Sequence, residues 1–134
     1  MKNADDELLR RAAEARDRAY APYSQVHVGA AARDREGNVY TGCNVENASL
    51  GLTLCAERVA LFHAVAAGAS EIETLAFVSN HPGVTSPCGA CRQVLVELAP
   101  RARIVFGDES GVRTEWASPG DLLPEAFTPG WEKK

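Results

Sequence analysis

The chain has 134 residues, 46% hydrophobic and 24% charged, a balance that excludes a disordered or collagen-like polypeptide and predicts one globular domain over residues 1–134. Folding at this length buries roughly two thirds of the unfolded surface, enough for a core without disulfide staples. Fourteen Lys and Arg against eighteen Asp and Glu leave a formal charge of -4 with no basic block, which argues against a nucleic-acid partner.

Residues 5–19 place Leu8, Leu9, Ala12, Ala15 and Ala19 at helical spacing among Arg11, Glu14 and Arg18, which predicts an amphipathic helix. Pro22, in Tyr20-Ala21-Pro22-Tyr23-Ser24, ends it by disfavouring helical backbone at the residue before. Residues 26–32 and 39–44 flank the turn-rich Asp34-Arg35-Glu36-Gly37-Asn38 and predict a hairpin. A mostly apolar helix follows over 54–67, closed by Gly68; being apolar nearly all round, it is expected to be buried on several sides. Residues 74–79 predict a short buried strand, 89–98 a helix stopped by Pro100, and 104–106 with 112–116 a second hairpin around residues 107–111. A helical turn is expected over 119–127. Helix, two strands, helix, strand, helix, two strands describes an α/β fold with a mixed sheet covered by helices.

The longest apolar stretch, 59–67, is interrupted by His63 and too short for a bilayer span, so no membrane partner is expected. Residues 1–11 begin polar and acidic, unlike a secretory signal, which predicts a cytoplasmic protein. In a reducing compartment, Cys43, Cys55, Cys88 and Cys91 serve burial, metal binding or nucleophilic chemistry.

Cys88-Gly89-Ala90-Cys91 sets two thiols on one face of a helix's first turn, with Pro87 at the entry. Cys55-Ala56-Glu57 opens the apolar helix, where i and i+2 side chains can converge beyond its end. The partial positive charge of a helix start favours thiolate over thiol. Two such starts can meet at one cation, and zinc suits three thiolates with a fourth position open to water. Cys43, His27, His63 and His81 have no ligand-like spacing; Cys43 is read as a small buried residue in a strand, and the histidines as ordinary surface or core groups.

Cys55-Ala56-Glu57 and Pro87-Cys88-Gly89-Ala90-Cys91 match the three-cysteine variant of the zinc deaminase signature. Adding Gly42-Cys43-Asn44-Val45-Glu46-Asn47-Ala48-Ser49, Arg58, Arg92-Gln93, Tyr23-Ser24, Val28-Gly29-Ala30-Ala31 and Leu122-Leu123-Pro124 with Phe127, the chain resembles the short-chain, homotetrameric, zinc-dependent cytidine deaminases over nearly its whole length.

That resemblance implies a three-layer helix-sheet-helix fold with a five-stranded mixed sheet, and one zinc per subunit on Cys55, Cys88 and Cys91. It implies hydrolysis of cytidine and 2'-deoxycytidine to uridine and 2'-deoxyuridine in pyrimidine salvage, with water as co-substrate. On that resemblance the zinc would supply hydroxide for attack at C4, and Glu57 would shuttle protons from the water to N3 and on to the departing amine. Arg58 hydrogen-bonds the ligand sulfurs and offsets the negative zinc-tristhiolate charge, with Arg92 a second candidate for that task. The resemblance further implies that Asn44 and Glu46 bind sugar hydroxyls, that the Ala56 backbone meets the exocyclic amine, and that Phe127 closes the site of a neighbouring subunit in a homotetramer.

Two positions depart from the family. Val26 stands where a base-packing phenylalanine is frequent, and Leu50 where a tyrosine is frequent, so substrate preference is the property most open to change. Deaminases of blasticidin S share the cysteine elements, but Asn44-Val45-Glu46-Asn47-Ala48-Ser49 favours cytidine. Two further alternatives are a non-catalytic zinc module closed by Cys43 or a histidine, and a deaminase of single-stranded nucleic acid, which the acidic charge disfavours.

Overall fold

The computed structural model describes residues 3–108 and 110–130. Residues 1–2 and 131–134 of the expected domain, and Glu109 of the second predicted connector, lie outside that range.

Helix α1 spans Ala4–Arg16 and starts with a reciprocal cap: Asn3 Oδ1 accepts from the Asp6 amide at 2.9 Å, and Asp6 Oδ2 accepts from the Asn3 amide at 3.4 Å. It ends before the expected residue 19 because the chain turns to pair with residues 44–46. The Tyr20 amide donates to Asn44 O at 3.0 Å and the Glu46 amide to Tyr20 O at 2.8 Å. Strand β1, Val28–Asp34, begins two residues later than expected. The amides of Val26, His27 and Val28 donate instead to side chains, at Ser24 Oγ, Asn80 Oδ1 and Asn44 Oδ1.

Strand β2 is Val39–Cys43, helix α2 Ala56–Ala66, strand β3 Ile72–Ser79, helix α3 Gly89–Leu98, strand β4 Arg103–Asp108 and strand β5 Gly111–Trp116. The sheet order is β2-β1-β3-β4-β5, with β3 and β4 parallel and every other neighbouring pair antiparallel. The expected five-stranded mixed sheet and three-layer α/β architecture are therefore present. On one face, Leu8, Leu9, Ala12 and Ala13 of α1 pack on Ala31, Ala76, Val78 and Val105. On the other, Ala60, Leu61 and Ala64 of α2 and Leu95 of α3 pack on Ala30, Ala32, Leu75, Phe77 and Ile104. Alternate residues of β1 and β3 thus serve opposite cores, as a strand's period of two requires.

Small residues let the layers approach closely. A Cβ on Gly42 would lie 2.4 Å from the Ala60 amide nitrogen and 2.9 Å from Ala56 O, so glycine there seats α2 against β2. None of the helices is long and apolar enough to cross a membrane among the described residues.

Three expectations need correction. In the single chain α2 is buried on one side only, through Ala56, Glu57, Ala60, Leu61 and Ala64; Phe62 and Val65 are 42% and 61% exposed because the sheet meets just one face of the helix. Cys43 is half-buried rather than buried. The expected turn over 119–127 is a one-turn helix, Pro119–Asp121, because Pro124 disfavours helical backbone at Leu123 and Glu125 adopts a left-handed φ of 51°.

Candidate metal centre and active site

Both α2 and α3 begin at a cysteine. Cys55 occupies the residue before α2, and Cys88 the residue before α3, where its Sγ accepts from the Cys91 amide at 3.5 Å. Cys91 follows one turn later, buried. The three sulfurs lie within 4.8 Å of one another, with Cys55 and Cys88 3.5 Å apart. Thiolates about 2.3 Å from one zinc ion at tetrahedral angles stand about 3.8 Å apart, so this donor set fits zinc. Among the described residues no fourth Cys, His, Asp or Glu joins the cluster. Cys43, His27, His63 and His81 lie elsewhere, and His63 and His81 make ordinary contacts, with Thr41 O and the Gly83 amide respectively.

Electrostatics separate the cysteines. The Cys55 thiol is lowered to about 5, first by a hydrogen bond from Cys91 and then, against the opposing effect of burial, by Arg58 and Cys88. Cys91 is held high because it donates to Cys55 and is desolvated, whereas burial pushes Cys43 up. Arg58 Nη2 stands 3.5 Å from Cys55 Sγ and 3.5 Å from Thr53 O, and its Nε is buried without a hydrogen-bond partner. The guanidinium thereby places positive charge against the sulfurs. Arg92 does something else. Its Nε donates to Pro87 O at 2.8 Å, Nη1 to Leu122 O at 3.0 Å and Nη2 to Ser86 Oγ at 3.3 Å, so it clamps the loop carrying Cys88 to the C-terminal segment.

Glu57, two residues after Cys55, is 4% exposed, and burial, reinforced by the Cys55 charge, pushes its carboxyl up to about 7. A carboxyl poised there takes up and releases protons at neutral pH. It lines a cavity of about 600 Å³ together with Cys55, Ala56, Cys88, Val26, Asn44 and Glu46. That volume is typical of a small-molecule site. Cys55 caps no first-turn amide of α2 with its side chain, and Ala56, the first residue of that helix, lines the same cavity.

Asn44, 7% exposed, receives the Val28 amide on Oδ1 and donates from Nδ2 to Val26 O, each at 2.8 Å, tying the cavity wall together. Glu46 Oε1 accepts from the amides of Tyr23 (3.0 Å) and Ser24 (3.2 Å), and Oε2 from the Ser24 hydroxyl. The Ser24 hydroxyl bond holds this carboxyl below its usual range against the cost of desolvation, aided by the two amides. Phe127 is 73% exposed and away from the cavity, with its carbonyl accepting from Gln93 Nε2 at 3.2 Å; Leu50 is 75% exposed. The contacts of Ser24 with Glu46 and of Arg92 with carbonyls are not legible in residue spacing. The Tyr23-Ser24 and Arg92 motifs mark the positions without revealing the partners.

With this geometry, relatives can be compared. Residues 2–108 match the family model described as the cytidine and deoxycytidylate deaminase zinc-binding region. The chain belongs to this deaminase family. The cytidine deaminase of Halalkalibacterium halodurans is 45% identical over 122 residues, 90% of this chain and 92% of that protein. That of Mycobacterium tuberculosis is 44% identical over 128 residues, covering 95% and 92%. A crystal structure of cytidine deaminase from Burkholderia pseudomallei superposes with a TM-score of 0.84 at 48% identity, covering 95% of this chain and all of that one. As a member of the zinc-binding deaminases, the chain is a hydrolase whose metal is zinc, and the three converging thiols are the donor set that suits it.

Proposed function

We propose that the protein, as a single catalytic domain over residues 1–134, hydrolyses cytidine and 2'-deoxycytidine to uridine and 2'-deoxyuridine, serving pyrimidine salvage in the cytoplasm. The observation that carries this reading is the buried Glu57 carboxyl beside the three-thiol cluster, with Glu57, Cys55 and Cys88 lining a cavity of about 600 Å³. Cys55, Cys88 and Cys91 would hold one zinc ion per subunit, and such an ion supplies the Lewis acidity that makes water a nucleophile at neutral pH.

The chain's own residues handle the protons. Glu57 accepts one from the attacking water and delivers it to N3 as the oxygen bonds to C4. It then passes the remaining hydroxyl proton to the amine as the C4–N4 bond breaks and ammonia leaves. The Ala56 backbone orients the exocyclic amine, Val26 packs on the base, and Asn44 and Glu46 meet the sugar hydroxyls. Arg58 draws charge from the sulfurs, which offsets the negative excess of three thiolates on a dication. Desolvation in the cavity strengthens each of these interactions.

A free nucleoside is the substrate class that fits the acidic chain and a cavity of this volume. The exposed Phe62 and Val65 on α2, with Leu50 and Phe127, support assembly as a homotetramer in which Phe127 reaches a neighbour's site. Ultraviolet absorbance of cytidine and 2'-deoxycytidine incubated with wild type and Glu57→Gln at matched zinc content tests the chemistry. Turnover by wild type alone is expected, and a zinc-loaded wild type that leaves both nucleosides intact refutes it. Solution size at micromolar concentration should be that of a tetramer; a monomer would rule out the role of Phe127.

A further inference from the structure

Glu46 is held in an unusual way for a carboxylate at a cavity wall. Two consecutive main-chain amides, Tyr23 and Ser24, converge on Oε1 at 3.0 and 3.2 Å, and the Ser24 hydroxyl donates to Oε2. A carboxylate offers about four acceptor sites, so three are filled and one remains on Oε2. The Ser24 hydroxyl also accepts from the Val26 amide at 3.0 Å. Ser24 therefore links the apolar wall at Val26 to the acid at Glu46, and both residues line the same cavity as Ser24 itself.

The backbone here is strained in a way that serves this arrangement. Gln25, a non-glycine residue, has a φ of 62°. Left-handed backbone is unfavourable for a residue with a Cβ and persists where the surroundings impose it, often at functional sites. The surroundings are visible: the Gln25 amide donates to Ala21 O at 3.1 Å, Gln25 Nε2 to Pro22 O at 3.3 Å, and Asn80 Nδ2 to Gln25 O at 3.3 Å. The turn at residue 25 lets the amides of residues 23 and 24 face Glu46 while residue 26 returns to the cavity wall.

We propose that Ser24 is a positioning residue for substrate recognition, orienting the Glu46 carboxylate so that its one remaining acceptor site meets a hydroxyl on the 2',3' edge of the nucleoside sugar. This rests on the reading of Glu46 as a sugar-binding residue. Ser24 acts through Glu46, so its influence vanishes when either that carboxylate or the sugar hydroxyl is removed.

The test measures KM and kcat of the zinc-loaded enzyme for cytidine, 2'-deoxycytidine and 2',3'-dideoxycytidine. The proteins compared are wild type, Ser24→Ala, Ser24→Thr, Glu46→Gln and the Ser24→Ala/Glu46→Gln double variant. Loss of a hydrogen bond to a charged group predicts that Ser24→Ala raises KM about tenfold for the two substrates with a hydroxyl on that edge. Values of kcat stay within about twofold, dideoxycytidine kinetics are unchanged, and Ser24→Thr, which keeps the hydroxyl, restores KM. The double variant is no worse than Glu46→Gln alone, and the melting temperature of each variant, read beside its kinetics, separates a lost contact from a folding defect. An equal KM rise on dideoxycytidine, or additive losses in the double variant, overturns the proposal by showing general damage to the loop. If wild type handles dideoxycytidine as well as deoxycytidine and Glu46→Gln changes neither, the sugar reading of Glu46 fails, and the role of Ser24 fails with it.

Discussion

Replacing Gly42 by alanine probes how the catalytic helix is seated. The added methyl would lie 2.4 Å from the Ala60 nitrogen and 2.9 Å from both Ala56 O and Ala60 Cα, all backbone atoms that no rotamer change can move aside. Ordinary contact needs about 3.4 Å, so α2 must retreat by about 1 Å or β2 must bend, an overpacking that costs about 2–3 kcal/mol. An unfolding entropy of about 2.1 cal/mol/K per residue gives about 0.28 kcal/mol/K for a chain of this length, hence a melting temperature lower by about 7–11 °C. The same retreat carries Cys55 away from Cys88 and Cys91 at the start of α3, so zinc should also be lost faster to a chelator. Gly51→Ala is the control, because its methyl would meet nothing within 4 Å. Thermal denaturation by circular dichroism and zinc release to a colorimetric chelator provide the two readouts. A Gly42→Ala protein that melts within 2 °C of wild type and keeps its zinc equally well would show that α2 is not seated through this contact.

Glu57→Gln preserves shape but removes the proton carrier, so kcat should fall by about 10²–10⁴-fold while zinc content by atomic absorption stays at one per chain. Arg92→Ala frees Pro87 O, Leu122 O and Ser86 Oγ together. A buried acceptor left without its donor costs about 1–3 kcal/mol, and the loosened Cys88 loop should release zinc faster than wild type in chelator competition, with little change in far-ultraviolet circular dichroism. Asp108 is lowered to about 2, first by the Ser110 hydroxyl, then by the Ser110 amide and Arg113. A depressed folded pKa means that its stabilisation is present above about pH 4 and lost as pH falls through 2. The melting-temperature gap between wild type and Asp108→Asn should therefore be widest above pH 4 and close toward pH 2; a constant gap would mean that the Asp108 charge contributes nothing.

Elements with a clean local signal were legible in the sequence. The helix over Gly89–Leu98 matches the expectation residue for residue, because its apolar spacing and the stop at Pro100 agree. Both hairpins announced themselves through turn residues. Boundaries failed where side chains replaced backbone partners: β1 starts at Val28 because Ser24 and Asn80 take the two preceding amides and Asn44 takes that of Val28, and two of these three partners come from distant parts of the chain. The outward apolar face of α2 was misjudged because composition tells how apolar a helix is, not how many neighbours cover it. In the site, three cysteines and Glu57 were legible from their places at helix starts. The clamp made by Arg92 was not, since an arginine beside a cysteine fits equally a charge against sulfur and a bond to a carbonyl. Only the folded path of residues 86–92 and 122 decides between them.

The cluster of three sulfurs also bears on how the polypeptide matures. Cys55 and Cys88 are 33 residues apart, and between them lie all of α2 and β3. An ion gripped from both ends ties that segment into a ring, and a tie across a loop of this size removes about 3–4 kcal/mol worth of disorder from the unfolded chain, by analogy with a covalent cross-link. Acquisition of the metal and consolidation of the α2–β3–α3 half of the molecule thus become a single linked event. Scarcity of zinc would thus lower the stability of the polypeptide as well as its turnover.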